Sequence, residues 1–569
     1  IGAFESRGFT LTPSSGSGQS AFVNTGFANP LVVSVAPVAA GEPVAGGVVR
    51  YAAPGSGASA SLGSADAVIG AIGTASSTAS ANGTPGGYTV SANANGSTGG
   101  VSFALTNLAA PTVSVAPTTL SVNEAGETTD SFVVSLSAAP TSNVTIQLAF
   151  DANVQVNTGS GFGASPQTVT LTPANALSGV TVTVRAVDDG LVEPSPHTST
   201  ITTAATSSAQ AVFNGLAVAD VTVAIADNDT AGINVIETGG STSVAEGGAT
   251  DTYSVALSSQ PTANVSVALN FDAAQISING NSSGSLVLVF TPLNWNTAQV
   301  LTVSAVDDAA LEANPHTSTI VQTATSTDPV YAATDPPDVS VSITDNEAAN
   351  IALVGTASNA AETAGTASLS AQLQLISNGV PGGTLAVPVS AQVLLTPGSA
   401  AAGSDYTPST VSVSFASGTT HDATRPIEVG IVNDRLLEGA ESFTVSLLAA
   451  GSIGTVSGAH VVTIVDDEAG VFSFTAPTAS VAEAAGPYSG AAQLLISGSG
   501  EGSGFRIQNA ASVALSATPG SAGSPADYSL LSTTLEVPAN AASPVSLPVQ
   551  VAIVNDAIDE ANETFTLGF

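Results

Sequence analysis

The chain has 569 residues, with 43 acidic side chains against six basic ones and a formal charge of −37. All six basic residues are arginine and none is lysine, so the chain repels nucleic acid and anionic lipid, and neither is expected as a partner. The absence of cysteine excludes disulfides and thiolate metal sites. No run of 18 or more apolar residues occurs, so membrane insertion is not expected either. With 43% hydrophobic residues this is globular material, long enough for four or five domains.

The chain starts at Ile1 without a visible signal peptide and reads as a fragment of a larger polypeptide. Residues 1–7, IGAFESR, resemble the tail that follows right-handed parallel β-helix regions in large bacterial surface proteins, which implies such a region upstream. Over residues 8–109, PLVVSVAP, GGYTVSANANG and GGVSFALTNL alternate apolar and polar residues between turns, the signature of half-buried strands. This stretch is similar to bacterial Ig-like domains of the invasin type, and one sandwich is expected there.

Residues 110–569 are a repeat. AVDDGLVEPSPHTSTI (186–201) recurs as AVDDAALEANPHTSTI (305–320), and IVNDRLLEGAESFTVSL (431–447) as IVNDAIDEANETFTLGF (553–569). An upstream signal recurs too: SVNEAG at 121, SVAEGG at 243, NAAETAG at 359 and SVAEAAG at 480. The first three copies close on Asp227-Asn228-Asp229, Asp345-Asn346-Glu347 and Asp466-Asp467-Glu468. The expected repeats are 110–229, 230–347, 348–468 and 469–569, the last without its final strand. Within them Val180, Val182, Val184 and Ala186 alternate with polar residues, as do Val265, Val267, Leu269 and Phe271, and Phe443, Val445 and Leu447. The fold class expected is all-β: tandem Ig-like antiparallel β-sandwiches in an elongated array. Trp295 is expected to pack near a strand start.

The acidic residues fall at strand ends rather than along strand faces. A strand of about six residues is roughly 20 Å long, so an acid at each strand end can share one pole of a sandwich. Crowded carboxylates repel and raise one another's pKa, a cost that a hard cation offsets. Calcium takes oxygen ligands with tolerant geometry, magnesium is stricter, and zinc prefers His or Cys. Calcium is therefore the expected cofactor. The competing reading is that Asp and Asn only cap turns.

These elements together resemble Calx-β domains, the calcium-binding sandwiches of sodium/calcium exchangers, frequent also in bacterial surface proteins. The resemblance rests on the early Glu, the Asp405-Tyr406 and Asp527-Tyr528 pairs, the DD/ND-x3-E segment and the closing tripeptide, and it covers about 460 residues. It implies metal ligands residue by residue. In repeat three these are Glu362, Asp405, Asp434, Glu438, Glu441, Asp466, Asp467 and Glu468, the fullest set. In repeat four they are Glu483, Asp527, Asp556, Glu560 and Glu563. Repeat one offers Glu124, Asp188, Asp189, Glu193, Asp227 and Asp229, and repeat two offers Glu246, Asp307, Asp308, Glu312, Asp345 and Glu347. Repeats one and two lack the Asp-Tyr pair, with Asp151 and Asp272 as candidates to compensate. By count, Pro196 and Pro315 stand where the second Glu of ExxE belongs, followed by His197 and His316. Weaker or fewer calcium sites are expected there.

No G-x-S-x-G, H-E-x-x-H or P-loop motif occurs, and a catalytic pair would be singular where these carboxylates recur, so no enzyme is expected. The expected role is a calcium-stiffened structural or adhesive stalk, extracellular or on a bacterial cell surface. The alternative is a filament or surface-layer subunit, self-associating by strand donation or binding a neighbouring surface protein or matrix polymer. A sugar-binding module is disfavoured by the 5% aromatic content.

Overall fold

In a computed structural model, residues 7–451 and 454–569 are described, so the expected upstream tail lies outside the described residues except for Arg7. The chain divides into two compact bodies, one running to Ala231 and including Ser258–Thr262, the other Gly232–Leu257 with Ala263–Phe569. Strands and four single 3-10 turns make up the regular structure, and no α-helix occurs among the described residues.

The two-residue period has its expected consequence. Val182, Val184 and Ala186 are buried, as are Val265, Val267 and Leu269, and Phe443, Val445 and Leu447, while the residues between them stay wetter. Alternation of this kind gives each strand one apolar face, which is buried against a facing sheet. In repeat one, one sheet runs Val113–Ala116, Thr129–Leu136, Val180–Ala186, Val154–Asn157, Phe162–Gly163. The facing sheet runs Thr119–Asn123, Val221–Ala226, His197–Thr203, Val144–Ala149, Gln167–Leu171. Repeats two and three keep the order of the second sheet, and residues 8–109 form a sandwich of three- and five-stranded sheets. In repeat four, Phe565–Gly568 pairs with Ser516–Pro519. Trp295 is half-buried in the turn before Gln299–Ala305, where its carbonyl accepts from Leu257 N at 3.0 Å.

The sandwiches are not wholly antiparallel. In each of the first three repeats the strand that leads to the early Glu lies parallel to the closing strand. Thr119–Asn123 pairs Val221–Ala226, Thr242–Ala245 pairs Val339–Thr344, and Ala357–Ala361 pairs Ala459–Val465. Parallel partners finish at the same end, so whatever follows both strands meets at one pole. Register brings Asn123 opposite Ala226, Ala245 opposite Thr344 and Ala361 opposite Val465. The 8–109 sandwich has the same parallel pair, Gln19–Phe22 with Val101–Leu108. There, however, the next residue is Val23, whose N–H donates to Leu108 O as that of Glu124 does to Ala226 O.

The Asp-Tyr pairs serve the core as well as the pole. Tyr406 is buried and stacks on Phe443 with ring centroids 4.2 Å apart, and Tyr528 stacks likewise on Phe565 at 4.0 Å. Because Phe443 is fully buried, Phe443→Ala should cost about 3–5 kcal/mol through lost burial and a residual cavity. Urea denaturation followed by tyrosine fluorescence should show the third repeat's transition at lower denaturant, and an unmoved midpoint would contradict this packing.

Candidate metal centres at the sandwich poles

The expected acids do converge. In repeat three, carboxylate oxygens of Glu362, Asp466 and Glu468 lie within 4.8 Å of one another, and so do those of Asp405, Glu438 and Glu441. In repeat one, Glu124, Asp188 and Asp229 form such a group, and in repeat two Glu246, Asp307 and Glu347. Repeat four differs: Glu483, Asp556, Glu560 and Glu563 are exposed and Asp527 is half-buried.

The acids do two jobs. One set accepts hydrogen bonds from the backbone. Asp189, Asp308, Asp434 and Asp556 each accept the N–H two residues on, at 2.7 Å in every repeat. Asp227, Asp345 and Asp466 each accept two N–H groups. One comes from Glu193, Glu312 or Glu438 at 2.9, 2.9 and 2.7 Å, and the other from the last residue of the tripeptide at 3.0, 3.2 and 2.9 Å. These bonds tie the loops of the pole together and fix the direction of the remaining carboxylates. The turn-capping reading of Asp is thus right for this set.

The second set is buried and unpartnered. Glu124 Oε2, Asp229 Oδ2, Glu246 Oε2, Glu362 Oε2, Glu441 Oε2 and both oxygens of Glu347 and Glu468 have no hydrogen-bond partner. Glu124, Glu246, Glu347, Glu362 and Glu468 are each less than a tenth exposed. No arginine is ion-paired with them: among the described residues the arginine ion pairs are Arg50–Asp66 and Arg185–Glu127. An unpaired buried carboxylate is costly. Burial, with repulsion from neighbouring acids, pushes Glu124, Glu347 and Glu362 up to about 7, and Glu246, Glu438 and Glu468 up to about 8, from an ordinary 4.5. Oxygen-only groups of this kind fit a hard divalent cation, with Glu362, Asp466 and Glu468 as one cradle and Asp405, Glu438 and Glu441 as a second.

Register also identifies positions that counting residues misassigned. Val187, Val306, Val432 and Val554 donate their N–H to Asn153, Gln275, Asp405 and Asp527 respectively. The counterparts of Asp405 in repeats one and two are therefore Asn153 and Gln275, not Asp151 and Asp272. Asp151 instead accepts from Ser199 Oγ and Asn153 N, and Asp272 from Ala274 N. Likewise His197, His316 and Glu441 lie opposite Ile225, Ile343 and Ile464. The second Glu is thus replaced by His197 and His316, not by Pro196 and Pro315, because the loop before them is one residue longer. The repeated PHTSTI stretch was the signal that could have shown this, once aligned on its strand rather than on the preceding Glu.

A family model described as the Calx-beta domain matches residues 107–229, 359–468 and 465–568, more than half of the chain. The chain belongs to the Calx-beta domain family. Residues 230–347 are outside the matched segments, although their strand order and pole repeat those on either side. Among solved structures, the chain is similar to CBD12 from CALX1.2 (17% identity, TM-score 0.18, covering 36% of this chain and 76% of that one). It is similar also to calcium binding domain CBD12 of CALX1.1 (14%, 0.17, 41% and 99%) and to the D0-D1 domain of intimin (16%, 0.15, 38% and 96%). No curated protein matches the chain.

The raised carboxyls set a pH dependence. A group whose folded pKa lies above its unfolded value stabilises the fold fully below the unfolded value, and that contribution is lost as pH rises through the folded one. Without divalent cations the Calx-beta repeats should therefore melt at lower temperature as pH rises from about 5 to about 8. Differential scanning calorimetry in a chelating buffer checks this, and a melting temperature flat or rising over that window would contradict the burial of these groups.

Proposed function

We propose that the poles of the Calx-beta repeats, with 230–347 counted as a fourth copy, bind calcium, and that the chain is a non-catalytic, extracellular structural or adhesive element that calcium stiffens at its joints. The supporting observation is the set of buried, unpartnered carboxylate oxygens at each pole, above all both oxygens of Glu468 beside Glu362 and Asp466. Calcium binding would satisfy those oxygens and relieve their repulsion.

The joints inside the second compact body support the stiffening. Ala310–Leu311 of repeat two pairs with Thr384–Leu385 of repeat three, and Asn378 Nδ2 donates to Asp307 Oδ1 at 3.2 Å. Leu436–Leu437 of repeat three pairs with Arg506–Ile507 of repeat four. Ser499 N donates to Asp467 at 3.0 Å and Gln508 Nε2 to Glu438 at 2.6 Å. Each of these poles is thus roofed by the following sandwich, so an ion held there ties the orientation of one repeat to the next. The Glu246, Asp307 and Glu347 group of repeat two and the acids of repeat three lie at such joints. The surplus of acids over bases favours the calcium-rich exterior over partners that carry phosphate.

Calcium titration calorimetry and thermal unfolding test the reading. At calcium 100-fold above Kd each site should add about 2.7 kcal/mol, raising the melting temperature. Glu362→Gln with Glu468→Gln should remove the heat assigned to one pole and most of its stabilisation. Small-angle scattering should show a narrower distribution of interatomic distances with calcium than with chelator. No heat and no thermal shift would sink the proposal and leave the acids as turn caps and surface charge.

A further inference from the structure

We infer that repeat one carries a second kind of metal site, formed by Glu124, Glu193 and His197, which takes a divalent transition metal such as zinc in place of calcium. Ligand atoms of these three lie within 4.8 Å of one another, close enough for small side-chain adjustments to reach the bonds of about 2.0–2.2 Å that zinc makes to imidazole and carboxylate. Glu193 and His197 stand where Glu438 and Glu441 stand in repeat three, Asn153 replaces Asp405, and Glu124 is the counterpart of Glu362. Exchanging a carboxylate for an imidazole removes a hard oxygen ligand and adds a nitrogen, which shifts preference from calcium to borderline metals.

Two observations separate this site from a mere cluster of acids. Glu124 is 2% exposed and its Oε2 has no partner. His197 has neither ring nitrogen hydrogen-bonded, although both atoms are shielded from solvent; its Nε2 lies 3.2 Å from Glu193 Oε2, an ion pair only when the ring is protonated, and His316 Nε2 lies equally far from Glu312 Oε2 in repeat two. An imidazole that buried ordinarily has a partner.

Repeat two supplies the internal control. His316 occupies the same position, but its Nε2 contacts Gln275 Oε1 at 2.6 Å and its Nδ1 lies 3.2 Å from Ala313 O. The Gln275 amide also donates to Glu312 Oε1 at 3.0 Å. Gln275 therefore fills the place of a metal and closes the site. Asn153, one methylene shorter, makes no such bond among the described residues and leaves the repeat-one site open. The other two histidines are engaged elsewhere: His421 Nδ1 accepts from Leu375 N, and His460 Nε2 lies 2.8 Å from Ser358 Oγ.

The test uses the full chain, saturated with calcium, dialysed against zinc and then against metal-free calcium buffer, with bound zinc counted by elemental analysis. One zinc per chain is expected. His197→Gln should lose it, His316→Gln should keep it, and Asn153→Gln should lose it by closing the site as Gln275 does. Gln275→Asn should raise the count to two. Calcium stoichiometry and circular dichroism, run on every variant, show that each is folded. Cobalt in place of zinc should give a visible absorption band that disappears in His197→Gln. No retained zinc in the parent chain, or zinc unchanged in folded His197→Gln, overturns the inference. Because calcium is counted separately, loss of the zinc result leaves the calcium reading standing, and the reverse holds too.

Discussion

The parallel pairing of the early strand with the closing strand is the constraint on which the rest of the molecule depends. In an antiparallel pair, residues following the two strands would leave at opposite ends of the sandwich. In the parallel pair, Glu124 and Asp227, Glu246 and Asp345, and Glu362 and Asp466 emerge side by side, although about a hundred residues separate them in the chain. The same pairing in the 8–109 sandwich presents Val23 at that position. The architecture thus provides the meeting point, and the residue type decides whether it carries charge.

At the poles the carboxylates are divided between holding the loops and facing inward. Asp227, Asp345 and Asp466 accept two backbone N–H groups each, so their charge is spread over fixed dipoles. Glu347 and Glu468 receive no such compensation. Carboxylates crowded in this way repel one another, and in the proposed calcium-bound state that repulsion would be exchanged for coordination. Since the poles of repeats two and three are roofed by the next sandwich, calcium bound there as proposed would also bear on the joint.

Much of this was legible in the residues. Period-two alternation gave the strands, and the recurring AVDD and IVND segments gave the repeat length. The acids Glu362, Asp466 and Glu468 do meet. What misled was counting: the loop before His197 and His316 is one residue longer than the loop before Glu441, so the residue four after Glu193, not three, faces the pole. Asp151 and Asp272 were attractive because they are charged, yet they cap their own loops, two and three residues short of the position that counts.

The sequence by itself determined that the chain is a β-repeat, how long the repeat is, and that acids collect at strand ends, because alternation and self-similarity are properties of the chain read in order. Only the tertiary structure decided which acids are spent on backbone N–H groups and which stay buried without partners. It alone decided too that Asn153 and Gln275 stand where Asp405 does. Those outcomes depend on hydrogen-bond register between strands far apart in the chain. A shift of one residue there reverses which face a side chain takes, and the order of residues does not record it.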